Sequence, residues 1–222
     1  CRSWSTPSHP RRVPAPLLPI AVLHLDESCL GNGQQRATPG GAGGLIETRV
    51  GSTVQRRDLF LHAPDTTNNR MALAGAIAAL QLLAAKNRRL RVLLVSDSEY
   101  LIKGMREWVP GWISRGWTRK GGAIENLELW RVLVDSAKKH EVQWTWVRGH
   151  KGHAKNEYAN DLAVKAATEQ VTSQGAEESG FPAWLAGKQA KHQYDGYDPD
   201  TTFMALEQRL AAGEKFPLRD GK

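Results

Sequence analysis

The feature that most constrains the fold is the run LRVLLVS at residues 90–96, which carries apolar side chains at five of its seven positions. A strand this apolar has to be covered on both faces, which requires helices on both sides of a sheet. Asp97 follows the run directly. We therefore expect an α/β domain whose central strand carries a carboxylate at its carboxyl end.

A second strand also ends on acids. Within LHLDESCLGN (23–32) the alternating run that starts at Ile20 reaches Asp26 and Glu27. If this strand is parallel to and beside 90–96, Asp26 and Asp97 lie side by side, and close carboxylates repel unless a proton or a cation separates them. Oxygen ligands of this kind suit Mg²⁺ and phosphate chemistry. The alternative is an acidic turn after a strand.

The remaining patterns predict a mixed sheet of five strands flanked by helices. Gly31 to Gly44 contains six glycines and is expected to be a turn or binding loop. The other elements are two strands (45–50 and 53–62), a helix from Thr66 to about Asn87, helices at 99–105 and 125–139, a strand at 142–147 and a helix at 154–168.

Composition divides the chain into three parts. Residues 1–18 are rich in Pro, Ser and Arg and predict a flexible N-terminal arm. The α/β domain covers 19–170. Residues 171–222 are expected to be a linker, up to about residue 180, and a C-terminal extension with one short helix at 202–212.

The charge indicates a polyanionic partner. The net charge is +7 and the first 170 residues carry 24 Lys and Arg against 15 Asp and Glu, so the basic part is the α/β domain. No apolar run is long enough for a membrane span, so nucleic acid is favoured over a membrane. Two cysteines favour a reducing, cytoplasmic setting. Arg11-Arg12 and the run 13–25 could start a secretory signal, but three prolines interrupt that run.

Six sequence blocks carry a family pattern: LDESCLGN (25–32), TTNNRM (66–71), DSEY (97–100), MREWVPGWISRGW (105–117), ENLELW (125–130) and WVRGHKGHAKNEYANDLA (146–163). By these blocks the chain, from Ile20 to about Ala167, resembles a type 1 ribonuclease H. The resemblance implies the ribonuclease H fold, to which the chain adds the short helical C-terminal extension. It also implies cleavage of the RNA strand of an RNA–DNA hybrid by two metal ions, Mg²⁺ with Mn²⁺ as a possible substitute. We expect a monomer with no obligatory protein partner.

The resemblance fails at two catalytic carboxylates. The family's Glu in the first helix corresponds to Ala72, and its Asp in the last helix corresponds to Asn160. Glu27 is the expected replacement, because type 2 ribonucleases H place an Asp-Glu pair on the first strand. Neighbouring strand residues point to opposite faces, so we expect the strand to twist or end at Asp26. The predicted ligands are Asp26, Glu27, Asp97 and Asn160, whose neutral amide oxygen predicts weak metal affinity.

The residues implied to assist catalysis and bind substrate are spread along the chain. His150 matches a mobile histidine that assists proton transfer and product release; a zinc site made by His150 and His153 is the alternative. Thr67 and Asn68 match a DNA phosphate pocket, and Asn32, Asn69 and Glu99 match minor-groove positions, with Glu99 replacing an expected Gln. The basic protrusion (103–120) contributes Trp108, Trp112, Arg115, Trp117, Arg119 and Lys120. The alternative for its tryptophans is stacking on one another.

Two other functions fit the same residues. A hybrid-binding protein that has lost catalysis would explain Ala72 and Asn160. A nuclease of this fold that cuts DNA is allowed by the fold alone and disfavoured by the asparagines that sense 2′-hydroxyl groups.

Overall fold

The computed structural model describes residues 18–31, 38–149 and 152–219. Within these residues six strands form one sheet: β1 (Ile20–Cys29), β2 (Thr38–Val50), β3 (Thr53–Thr66), β4 (Arg91–Ser96), β5 (Glu141–Trp146) and β6 (Glu177–Glu178). The helices are α1 (Asn68–Ala84), α2 (Glu99–Lys103), α3 (Val109–Ser114), α4 (Leu127–Ala137), α5 (Ala154–Glu169), α6 (Phe181–Gln189) and α7 (Pro199–Ala211). A π-helical turn, Gly104–Trp108, joins α2 to α3.

The sheet is mixed, as predicted, with the strand order β5-β4-β1-β2-β3-β6. Strands β1, β4 and β5 are parallel neighbours, and β1, β2 and β3 are successive antiparallel neighbours. The sheet has six strands rather than the expected five. The additional strand is the two-residue β6, which pairs with Arg57 and Asp58 of β3.

Helices cover both faces, and β4 lies between them. Leu94 of β4 belongs to the core that α1 and α4 form on one face, where Trp130 is fully buried. Leu93 and Val95 point to the other face and pack with Phe203 of α7. The expectation drawn from the apolar run is therefore confirmed, because the side chains of one strand enter two separate cores.

The glycine-rich stretch was expected to be irregular, and this expectation is wrong for residues 38–44, which belong to β2. The glycines serve close packing of a helix on the sheet. A Cβ atom on Gly41 or Gly43 would lie 2.2 Å from a carbonyl oxygen of α5. Glycine in a strand is typical where another backbone approaches closely, so this composition marks the contact with α5 instead of a loop.

The C-terminal part of the chain completes the second helical layer. In the segment predicted to be a linker, the Ser173 backbone N–H donates to the Phe60 carbonyl at 2.8 Å. Helix α6 was not predicted from the sequence. Its residue Phe181 is fully buried, as is Phe203 of α7. The predicted helix at 202–212 starts earlier, at Pro199, after the N-cap Asp198. The predicted arm at 1–18 lies, apart from residue 18, outside the described residues.

No helix within the described ranges is both long enough and apolar enough to cross a lipid bilayer.

Candidate active site

The register of two parallel strands brings the predicted acids together. Leu25 of β1 is paired with Ser96 of β4, so the next residues, Asp26 and Asp97, lie side by side at the carboxyl edge of the sheet. Together with Glu27 they form a group in which one carboxylate oxygen from each residue lies within 4.8 Å of the others. Three of the four predicted metal ligands are thus brought together.

Asp26 and Glu27 leave β1 on opposite faces, and this arrangement makes the group possible. The expectation that the strand ends at Asp26 is wrong, because β1 pairs with β2 as far as Cys29. Leu25 and Cys29 pack with residues of α1, so Glu27, which lies between them, belongs to the α1 face. Ala72 of α1 is buried in that core. Glu27 therefore supplies a carboxylate from the α1 face, where Ala72 stands in place of the family's Glu.

The carboxylates are held in an environment that disfavours their charges. Burial and the nearby charge of Asp97 raise the pKa of Asp26 to about 8. Burial and the charges of Asp26 and Asp97 likewise raise the pKa of Glu27 to about 8. Hard oxygen ligands that repel one another are the donor set that a divalent cation stabilises. The residues present therefore fit a divalent metal.

Asn156 of α5 is a site residue that the sequence analysis missed. Its Nδ2 donates to Asp26 Oδ2 at 2.6 Å, while its buried Oδ1 accepts no hydrogen bond from the described residues. The predicted ligand Asn160 is half-buried and lies four residues further along α5, hence on the same helix face. This i, i+4 spacing was available in the sequence and could have indicated Asn156.

A buried charge cluster fixes the start of α5 next to Asn156. Lys155 Nζ lies 2.8 Å from Oε2 of Glu47, and both side chains are almost completely buried. Arg56 and His24 also approach Glu47, at 3.0 Å and 3.5 Å. Burial disfavours the charge of Glu47, but the contacts with His24 and Lys155 prevail and hold its pKa at about 2.

The loop after β5 passes directly over the acids. A Cβ atom on Gly149 would lie 2.1 Å from Asp97 Oδ2, so a side chain at this position would displace the Asp97 carboxylate. Trp146 also donates its indole N–H to the Asp97 carbonyl at 2.8 Å. His150, and with it the proposed zinc alternative, lies outside the described residues, as does Asn32.

The predicted substrate residues lie at the start of two helices. Thr67 is the N-cap of α1, where its hydroxyl accepts from the Arg70 N–H at 3.3 Å, so the helix begins at Asn68 rather than at the predicted Thr66. Asn68 and Asn69 begin that helix. Glu99 begins α2 and is exposed.

The basic protrusion presents its charges to solvent and packs most of its aromatic side chains inward. Arg115, Arg119 and Lys120 are exposed. The ring centroids of Trp108 and Trp112 are 6.0 Å apart, and Trp112 packs edge-on against Trp130. Trp117 packs beneath the guanidinium of Arg131. The protrusion is thus stiffened by an aromatic cluster in which Trp108 and Trp112 pack with Trp130 and Tyr100. Among the described ring pairs, Trp117 does not stack on any member of this cluster.

Comparison with known proteins identifies the family. Residues 20–168 match the family model described as RNase H. The chain belongs to the ribonuclease H family. A ribonuclease H from Syntrophotalea carbinolica is 46% identical over 155 residues, which are 69% of this chain and 95% of that protein. The ribonuclease HI of Pseudomonas aeruginosa is 40% identical over 149 residues, 67% of this chain and 93% of the relative. The chain is therefore an endoribonuclease, and its relatives support cleavage of RNA in RNA–DNA hybrids.

A solved structure of this ribonuclease H family shows the same unusual combination of features. LC9-RNase H1 is described as a type 1 RNase H with the type 2 active-site motif. It is 49% identical, with a TM-score of 0.72 over 76% of this chain and 82% of its own. A foamy viral protease-reverse transcriptase at 17% identity, TM-score 0.57, covers 76% of this chain and 22% of its own and shows the fold alone. The predicted resemblance to type 1 ribonuclease H with an atypical acid pair is confirmed.

Proposed function

We propose that this ribonuclease H hydrolyses the RNA strand of RNA–DNA hybrids with Asp26, Glu27 and Asp97 holding divalent cations, Mg²⁺ in the first place and Mn²⁺ as a substitute. The observation that carries the proposal is the convergence of three carboxylates from two strands, with oxygens within 4.8 Å of one another. Held by these three carboxylates, a pair of divalent cations would supply activation of the attacking water and stabilisation of the leaving 3′ oxygen.

The protein's own groups orient and tune that site. Asn156 donates to Oδ2 of Asp26 at 2.6 Å and the Glu27 backbone N–H donates to Oδ1 at 2.7 Å, so hydrogen bonds hold both oxygens of this carboxylate in place. Asn160 offers a neutral amide oxygen from the same face of α5, which attracts a cation less than the carboxylate of the family pattern would. His150 follows Gly149, whose backbone lies against Asp97, and we assign it proton transfer to the departing oxygen.

The hybrid would lie across the carboxyl edge of the sheet. The α1 N-terminus, with Thr67 and Asn68, presents N–H groups to a DNA phosphate. Asn32, Asn69 and Glu99 are assigned to the minor groove, and the exposed Arg115, Arg119 and Lys120 to the backbone of the DNA strand. Phosphate contacts of this kind supply affinity without sequence preference.

A short hybrid, labelled on either strand and incubated with Mg²⁺ or Mn²⁺, tests the function. We expect cleavage of the RNA strand only. The DNA strand should remain intact, both in the hybrid and in a DNA duplex of the same sequence. Binding without cleavage in either metal would indicate a hybrid-binding protein that has lost catalysis. Cleavage of duplex DNA would indicate a nuclease of the same fold with another substrate.

Asn160→Asp is expected to lower the Mg²⁺ concentration that gives half-maximal cleavage by about tenfold, because it adds a negative ligand to the site. Asp161→Asn is the matched control. Its side chain is exposed and bonds to the Trp184 indole N–H at 2.7 Å, a contact that Asn can keep. The Mg²⁺ dependence of the cleavage rate measures both variants. An unchanged half-maximal concentration in Asn160→Asp would remove Asn160 from the metal site.

A further inference from the structure

The last part of the chain runs along β5 toward the active-site edge. The Phe216 N–H donates to the Gln143 side chain at 3.0 Å, and Thr145 donates to the Pro217 carbonyl at 3.0 Å. The Trp146 N–H donates to the Leu218 carbonyl at 2.7 Å, and Arg219 forms a parallel bridge with Trp146. The segment 216–219 therefore ends where β5 ends, at the edge that carries Asp26 and Asp97.

Arg219 is anchored two contacts away from the acidic group. Its guanidinium lies 5.0 Å from the centre of the Trp146 ring, and the indole N–H of Trp146 donates to the Asp97 carbonyl. One guanidinium nitrogen lies 2.9 Å from Oε1 of Glu99. The Arg219 side chain nevertheless remains 60% exposed. A guanidinium has five N–H donors, so most of them face solvent beside the active site.

Two basic side chains offset the negative charge of Glu99, which would otherwise repel a nucleic acid. Glu99 replaces the Gln of the family pattern, and a bare carboxylate here would repel a polyanion. Lys103 pairs with the other oxygen of Glu99 at 2.5 Å. With Arg219 and Lys103 on its two oxygens, Glu99 becomes part of a group with a net charge of +1. The carboxylate then serves to hold a guanidinium whose planar fork matches a phosphate.

We propose that Arg219 is a substrate-binding residue: it contacts a backbone phosphate of the hybrid next to the Asp97 side of the active site. This inference rests on the proposed function and adds to it a contact that comes from the C-terminal extension, outside the part of the chain that matches the family. The contact is electrostatic and independent of base sequence.

Salt dependence of hybrid binding tests the contact directly. In the full chain, with EDTA present to prevent cleavage, Arg219→Ala is expected to weaken hybrid binding about tenfold at physiological salt. It should also reduce the slope of log K against log salt by about one, the signature of one lost phosphate contact. Arg209→Ala is the matched control. Arg209 belongs to the same extension, stacks on Phe216 and pairs with Glu214, nearer the amino end of β5. We expect it to keep the wild-type slope.

A second variant separates substrate binding from a structural role of Arg219. Glu99→Gln in the Arg219→Ala background is expected to recover about threefold in affinity, because it removes the carboxylate left without its guanidinium. If Arg219 only holds the extension against Trp146, Arg219→Ala would lower the urea midpoint of unfolding and leave the salt slope unchanged. That outcome overturns the inference. If the wild-type chain itself fails to bind hybrid, the proposed function fails instead.

Discussion

Glu27→Gln is expected to lower the rate of RNA cleavage by about 10²–10³-fold at saturating Mg²⁺. Gln keeps the shape of the side chain and removes its negative charge. Glu27 is the carboxylate that reaches the group from the α1 face, where Ala72 offers no ligand. The remaining Asp26 and Asp97 hold cations with one charge fewer. Single-turnover cleavage of a labelled hybrid measures the loss.

Glu178→Gln provides the control for this substitution. Glu178 is exposed on β6, at the far edge of the sheet from β4, so the same chemical change should leave the cleavage rate unaltered. Wild-type cleavage by Glu27→Gln, with an unchanged Mg²⁺ requirement, would show that catalysis does not use Glu27 and that the three-carboxylate site is wrongly assigned.

Glu27→Gln is also expected to stabilise the protein when metal is absent. The pKa of Glu27 is raised from its usual 4.5 to about 8, so its ionised form opposes folding. This destabilisation is absent below about pH 4.5, grows as the pH rises, and is complete above pH 8. In EDTA, Glu27→Gln should therefore raise the free energy of unfolding by roughly 5 kcal/mol at pH 9, at about 1.4 kcal/mol for each unit of the shift, and by very little at pH 4. Urea unfolding at the two pH values measures the difference, and an equal effect at both would contradict it.

The acidic site could be predicted from the sequence because its geometry is local to the strand ends. An apolar run that stops on Asp97, and an alternating run that stops on Asp26, need only one parallel pairing to meet. The sequence alone predicted the position of Glu27 less directly. The alternation of faces along a strand looked like an obstacle, yet it is this alternation that sends Glu27 to the α1 side, where a carboxylate is missing.

The parts that could not be predicted depend on contacts between distant segments. The glycines of β2 make room for the backbone of α5, which lies more than a hundred residues later in the chain. The C-terminal extension was predicted as a linker followed by one short helix, but it packs Phe181 and Phe203 against a face of the sheet. Arg219 reaches the active-site edge only because residues 216–219 follow β5. Periodicity within one segment carries no information about such pairings.

The extension also completes the charge cluster that fixes the start of α5. Arg56 bonds both to Glu47 and to Asp200 of α7, at 3.0 Å and 2.6 Å. Lys155 donates to Glu47 and to the Pro199 carbonyl that opens α7. Lys155 is followed directly by Asn156, the residue that holds Asp26. The cluster thus connects the C-terminal extension to the acidic group through two neighbouring residues of one helix.

Lys155→Met is expected to lower the free energy of unfolding by about 3 kcal/mol at pH 7, because it leaves the buried carboxylate of Glu47 with fewer partners. Lys138→Met, at an exposed pair with Asp135, should change it by less than about 0.5 kcal/mol.

The pH dependence of that loss distinguishes the lost ion pair from a lost packing contact. Glu47, with its pKa held at about 2, contributes stability that is complete above its usual value of 4.5 and disappears as the pH falls toward 2. Without Lys155 the pKa of Glu47 rises, and protonation in mild acid relieves the uncompensated charge. The difference between Lys155→Met and wild type should therefore shrink from pH 7 to pH 3 in urea unfolding. A difference that stays constant over this range would mean that Lys155 contributes through packing, and that the position of Asn156 does not depend on the charge of Glu47.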